Sequence, residues 1–145
     1  MKAQILYPEI LEKETDKSLT SLINTLSCRF ELPSLHVRSL VINDIQDNIF
    51  IDADEELLSA VLSGILAKVI RNTENGSIRI TAKKYNNVIL LHIKNDGVLH
   101  YDSIVHSLPV LQAQAEKLGG FIGFTSFRNR ISTIAFSFTN GRNIS

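Results

Sequence analysis

The stretch from Asp52 to Ile70, DADEELLSAVLSGILAKVI, governs how the rest of the chain is read. Leu57, Leu58, Val61, Leu62, Ile65, Leu66, Val69 and Ile70 recur at three- and four-residue spacing, which lays a wide apolar face along one helix. Asp52 is expected to cap that helix, with Glu55 three residues on completing a capping box. Thr73-Glu74-Asn75-Gly76 ends it. So broad an apolar face needs a second layer to cover it, and the flanking segments read as its strands.

Downstream, residues 77–83 and 88–94 form a predicted hairpin around Asn86-Asn87, where asparagine tolerates the left-handed turn. Asn95-Asp96-Gly97 is turn chemistry. Residues 101–118 read as a further helix, with Pro109 as a late start or a kink and Gly119-Gly120 as its stop. Residues 121–127 and 131–138 form a last hairpin around Arg128-Asn129-Arg130, and a polar tail, expected to fray, follows from Asn140. Upstream, Pro8 suits a first helical position, and Leu19, Leu22, Ile23 and Leu26 mark one buried helical face. Residues 12–17 read as a solvated charged face or a break, and the helix should end before Leu32-Pro33. Residues 36–42 read as a strand and 49–51 as a short one, with a turn between them. Hairpins interleaved with helices predict an α+β chain: a two-layer α/β sandwich with a mixed, mainly antiparallel sheet and helices on one face.

Composition narrows the function classes. With 145 residues, one domain with a sizeable core is expected. Fifteen Lys and Arg balance fifteen Asp and Glu, so no net charge draws the chain to nucleic acid or anionic lipid. No apolar run approaches the roughly 18 residues that span a bilayer, and the first residues lack the apolar core of a signal peptide. Cys28 stands alone and, beside an apolar helical stripe, reads as a buried inert thiol. A cytoplasmic protein is the expectation. His36, His92, His100 and His106 show no metal-ligand spacing with one another or with Cys28. Arg128 and Arg130 with Lys83 and Lys84 form either a basic rim or an ordinary solvated surface.

Three local patterns, in order, resemble the GHKL superfamily of ATP-binding domains, which includes the histidine kinase catalytic domains. They are Asp52 with Leu57, Val61 and Leu62; His92-Ile93-Lys94-Asn95-Asp96-Gly97; and Leu118-Gly119-Gly120-Phe121-Ile122 with Ser126 and Ser132-Thr133-Ile134-Ala135-Phe136 behind it. The resemblance implies residues 1–48 as a lead-in, 49–139 as the GHKL-like core and 140–145 as a tail. It also implies a nucleotide site at Gly64, Lys68, Asn95, Asp96, Gly97 and Thr133, and there the chain departs from the family. Two asparagines four residues apart in the family correspond to Gly64 and Lys68, and the second of the pair ligates magnesium. Lysine offers no acceptor oxygen and carries the wrong charge for a metal ligand. Lys68 is either a direct phosphate contact or a solvated lysine. The adenine-reading aspartate corresponds to Asn95, whose amide oxygen can also accept a hydrogen bond, although an Asn-Asp-Gly turn needs no ligand. Thr133 matches a threonine that supports the adenine contact, or simply suits a strand. The long glycine-rich lid is replaced by residues 98–103, leaving little backbone to enclose phosphates.

The first expectation is a catalytically silent relative of a histidine kinase ATPase domain, acting as a protein-interaction module in two-component-type signalling. It needs no cofactor and has no metal site or catalytic residue. Its partner would be a kinase, phosphotransfer protein or response regulator, with a homodimer left open and neither nucleic acid nor membrane expected. The alternative is the ATP-binding catalytic domain of a sensor histidine kinase, with Asn95 reading adenine and Lys68 holding ATP or ADP phosphates without magnesium. A related histidine phosphotransferase is the third reading. The absence of histidine before His36 argues against an accepting histidine on the first helix.

Overall fold

The computed structural model describes residues 18–30 and 39–141. Within them run helices α1 (Leu19–Phe30), α2 (Glu55–Asn72) and α3 (Leu108–Lys117) and strands β1 (Ser39–Asn43), β2 (Gly76–Tyr85), β3 (Val88–Asn95), β4 (Phe121–Phe127) and β5 (Arg130–Thr139). The strands make one sheet in the order β1-β2-β3-β5-β4. β1 runs parallel to β2, and every other pairing is antiparallel. The predicted two-layer α+β architecture is the one observed.

The period-two alternation of the strands separates their two faces. Ile78, Ile80, Ile89, Leu91, Ile93, Ile134, Phe136 and Phe138 are buried. Opposite them α2 contributes Leu58, Val61, Leu62, Ile65, Leu66, Val69 and Ile70, and α1 contributes Leu19, Leu22, Ile23 and Leu26. Each such side chain taken fully out of water contributes about 1.5–3 kcal/mol, so the helix–sheet seam supplies most of the hydrophobic stabilisation. The intervening strand residues (Leu90, His92, Lys94, Thr133, Ala135 and Ser137) face away from the helices.

Turn chemistry follows the sequence closely. Asn86 has φ 55°, and Arg128 and Asn129 have φ 54° and 64°, which close the two hairpins with left-handed residues. Gly119, with φ 69°, ends α3. Gly120 then passes so close to Ser137 that a β-carbon would overlap its carbonyl oxygen.

Five details differ from the sequence reading. The cap of α2 is Asp54, whose carboxylate accepts from Leu57 N–H at 3.2 Å, because the helix begins at Glu55, two residues later than expected. Residues 101–107 form two short 3₁₀ turns, Tyr101–Ser103 and Val105–Ser107, and α3 starts only at Leu108, where Pro109 fits the first helical turn. Residues 49–51 are not a strand; Phe50 makes a single bridge to Ser18. Cys28 is exposed, because the buried stripe of α1 turns to its other side at Leu26 and Ser27. The tail is anchored at its first residue: Asn140 donates to Asn87 O at 2.6 Å and to Phe50 O at 2.8 Å, and accepts from Asp52 N–H at 2.7 Å. Pro8, residues 12–17, Leu32-Pro33 and His36 lie outside the described residues.

Replacing Asp54→Ala removes the carboxylate that caps α2 and should lower stability by about 1 kcal/mol. Urea unfolding monitored by circular dichroism measures it, and an unchanged midpoint would show that the cap contributes nothing.

Candidate functional site

Gly64 and Lys68 lie four residues apart on α2 and therefore on one side of the helix. α3 covers that side. The Leu111 side chain fills the space into which a β-carbon on Gly64 would project. Beside this contact Ile65, Lys68, Val69, Ile104, Leu108, Leu111, Ile122 and Ile134 line a cavity of only about 10 Å³, at or below the room one water molecule needs. Outside it, Gly64, Lys68, His106, Ser107, Val110 and Leu111 line a depression of about 330 Å³ that opens onto solvent. His106, Ser107 and Leu111 were not among the expected site residues. A glycine in the middle of so apolar a helix was the available signal, since such a residue often marks a close neighbour.

The turn after β3 is occupied by its own hydrogen bonds. Asn95 is buried; its amide donates to Thr73 Oγ1 at 2.6 Å and its oxygen accepts from Gly97 N–H at 2.7 Å. Asp96 points elsewhere. Its carboxylate accepts from Ser77 N–H at 2.5 Å and from Ser77 Oγ at 3.0 Å, tying the end of β3 to the start of β2. These two bonds, chiefly the backbone one, hold the Asp96 carboxyl below its ordinary pKa of 3.8. Gly97 and Gly76 pass so closely that a β-carbon on Gly97 would lie 2.5 Å from Glu74 O, and Glu74 and Val98 exchange backbone bonds of 2.9 and 3.0 Å. The glycine is required by this crossing of two backbones, whether or not a ligand approaches.

Thr133 stands on the opposite face of the sheet. It pairs with Lys94 on β3 and Thr125 on β4, while its neighbour Ile134 faces the helices. The six expected residues are thus not brought into one site. Gly64 and Lys68 share the α2–α3 seam, Asn95 and Gly97 form a turn with Thr73, Asp96 staples β2, and Thr133 lies behind the sheet.

The segment joining β3 to α3 is fastened to the rest of the fold. Tyr101 N–H donates to Asn129 O at 2.9 Å and Ile131 N–H to Leu99 O at 2.8 Å. Leu99 and Ile104 are buried. Gln112 locks α3 to the edge strand through two 2.8 Å bonds with the Ile122 backbone. A depression of about 730 Å³ lies by the start of α2 and the end of α3, beside Asp54, Glu55, Glu116 and Lys117, and holds none of the expected site residues. No cluster of His, Cys, Asp and Glu able to hold a metal ion occurs among the described residues.

No family model matches the chain, and no curated protein does. Solved structures do. The histidine kinase AdeS of Acinetobacter baumannii superposes with a TM-score of 0.71 at 15% identity, over 88% of this chain and 67% of that one. The nucleotide-free catalytic domain of histidine kinase ThkA gives 0.69 at 20% identity, over 89% of this chain and 98% of that one. Full-length ShkA in complex with AMPPNP gives 0.70 at 14% identity, over 88% of this chain but only 32% of that one. The fold is therefore that of histidine kinase catalytic domains.

Two outcomes test the site geometry. Gly64→Ala gains roughly 1 kcal/mol of helix propensity but meets Leu111, and overpacking costs about 1–3 kcal/mol. It should be neutral or destabilising in the native background and stabilising in a Leu111→Ala background, a reversal of sign that a urea double-mutant cycle reads directly. For Asp96, whose folded-state pKa is depressed, the contribution is complete above the ordinary value of 3.8 and is lost as pH falls through the lower folded value. The stability advantage of the native chain over Asp96→Asn should therefore close between about pH 5 and pH 2. A gap that stayed constant across that range would contradict the Ser77 bonding.

Proposed function

We propose that this chain is a catalytically silent histidine-kinase-type ATPase domain that works as a protein-interaction module in two-component signalling. The observation that carries the reading is the seam between α2 and α3. Leu111 lies against Gly64 there, and about 10 Å³ remains beside it, against the several hundred cubic ångströms of an ordinary small-molecule pocket. Three further features support it. Asn95 spends its oxygen on Gly97 N–H and one amide hydrogen on Thr73. Lys68 offers a cation where a magnesium ligand would need an oxygen donor. The 98–107 segment is built into the core at Leu99 and Ile104. Phosphoryl transfer rests on positioning and on metal-assisted charge stabilisation, and under this reading the chain supplies neither. The partner under this reading is a kinase, a phosphotransfer protein or a response regulator.

A second reading keeps nucleotide binding, and one observation favours it. Lys68 borders the open depression of about 330 Å³ together with His106 and Ser107, so phosphate could be held there as an ion pair without a metal. Under it, ATP or ADP would enter only if α3 moved off Gly64.

Nucleotide titration separates the two. A ligand that binds the folded chain at a hundredfold over its Kd adds about 2.7 kcal/mol, or roughly 8 °C in Tm for a domain of this size. ATP and ADP at millimolar concentration, with and without magnesium, should leave the Tm unchanged. A rise removed by Lys68→Ala would replace the first reading with the second.

A further inference from the structure

Formal charge is zero over the whole chain, yet the charges are not mixed. All fifteen acidic residues lie outside β2, β3, β4 and β5, and those four strands carry Arg79, Lys83, Lys84, Lys94 and Arg130, with Arg128 in the turn joining the last two. Lys84 is in register with the buried Ile89 and so alternates to the helix side, whereas Arg79, Lys83, Lys94 and Arg130 fall on the face of the sheet turned away from the helices, which is therefore cationic. Among the described residues, two acids at its margin are already engaged. Asp44 pairs with Arg79 at 3.2 Å, and Asp96 is held by Ser77. Lys83 and Lys94 have no carboxylate partner among the described residues.

The same face is grooved. Gly123, Ala135 and His92 lie side by side across β4, β5 and β3, so two of the three floor positions are small. Phe121 sits at one wall. Its ring lies along β4 near enough that a β-carbon on Gly123 would be 3.4 Å from it, and it remains 62% exposed. Leu90 forms the other side, paired with Lys83, while Lys94 flanks Thr133. The groove measures about 290 Å³, room for one or two apolar side chains. No element of the described structure covers it.

We propose that this face docks a partner protein that inserts an apolar side chain between Phe121 and Leu90 and sets acidic side chains against Lys83, Lys94 and Arg130. An apolar anchor within a charged rim is how protein interfaces concentrate affinity, and a rim of one sign rejects partners of that sign. Single-stranded nucleic acid fits less well. It needs successive exposed rings on which bases stack, whereas of the other exposed rings on β4 Phe124 is packed against Tyr101 at 5.3 Å and Phe127 has Arg128 over its ring at 5.1 Å. The proposal rests on the reading of the chain as an interaction module. The nucleotide titration tests that reading on the other side of the sheet, so either can fail alone.

The experiment is fluorescence anisotropy with the full chain and three labelled probes: a peptide alternating leucine and glutamate, its leucine–lysine counterpart, and an oligo-thymidine. The glutamate peptide should bind and weaken at least tenfold between about 50 and 300 mM salt. Lys83→Glu with Lys94→Glu should weaken it at least tenfold, and so, separately, should Phe121→Ser. All are exposed or partly exposed positions where folding, checked by melting, should persist. The lysine peptide should not bind. Failure of the glutamate peptide to bind, or binding indifferent to these substitutions, overturns the proposal. So does oligo-thymidine binding with the same dependence, which would make the ligand nucleic acid. Self-association in the ultracentrifuge that the same substitutions abolish would also overturn it, making the occupant a second copy.

Discussion

Leu111 against Gly64 is the contact on which the rest of the arrangement turns. Without a side chain at position 64, α3 can lie on α2 with its leucine in the gap, and the neighbours follow. Ile104 and Leu108 close the seam beside it, and Ile122 closes it from the sheet side. Gln112, one residue on, binds both backbone groups of Ile122 and covers the outer edge of β4 at that point, where an uncovered strand edge would invite pairing with another chain. A helix–helix seam in a two-layer fold can be left open for a ligand or packed. Once it is packed at close range, opening it exposes the apolar surface of several residues at once, and the segment bridging β3 and α3 loses the freedom a lid requires.

Polar groups around the turn after β3 have a similar economy. Asn95, Thr73 and Gly97 satisfy one another in a buried setting, where an unmade bond costs about 1–3 kcal/mol. Asp96 and Ser77 do the same at the surface. Residue types that elsewhere would suggest recognition of a base serve here to join the end of α2, the start of β2 and the end of β3. The close approach of Gly76 and Gly97 belongs to that junction.

On the other side of the sheet the logic reverses, because Arg79 pairs with Asp44 while Lys83 and Lys94 have no carboxylate partner among the described residues. The helices cover one face, and the strands present lysines, arginines and a shallow apolar groove on the other. A zero net charge conceals this, since total charge carries no information about position. Among the described residues the acids lie in the helices and connections, and the basic residues 79, 83, 94 and 130 fall together only once the strands are set side by side.

Much of the fold was legible in the sequence, because local chemistry and period decide it. The 3.6-residue stripe of α2, the alternation of β2, β3 and β5, the asparagine turns and the Gly119-Gly120 stop each specify an element without reference to distant residues. The predicted helix start at Asp52 and the helix over 101–107 were wrong where two local choices were close in energy. Either aspartate can cap, and short 3₁₀ turns compete with the first turns of an α-helix ahead of Pro109. Sequence by itself established two layers and the order of their elements. Only the tertiary structure decided that Gly64 receives Leu111, that Asn95 and Asp96 are spent on Thr73, Gly97 and Ser77, and that Thr133 lies behind the sheet. Those outcomes depend on side chains tens of residues apart competing for the same small volumes, and no periodicity along a single chain records which of them arrives.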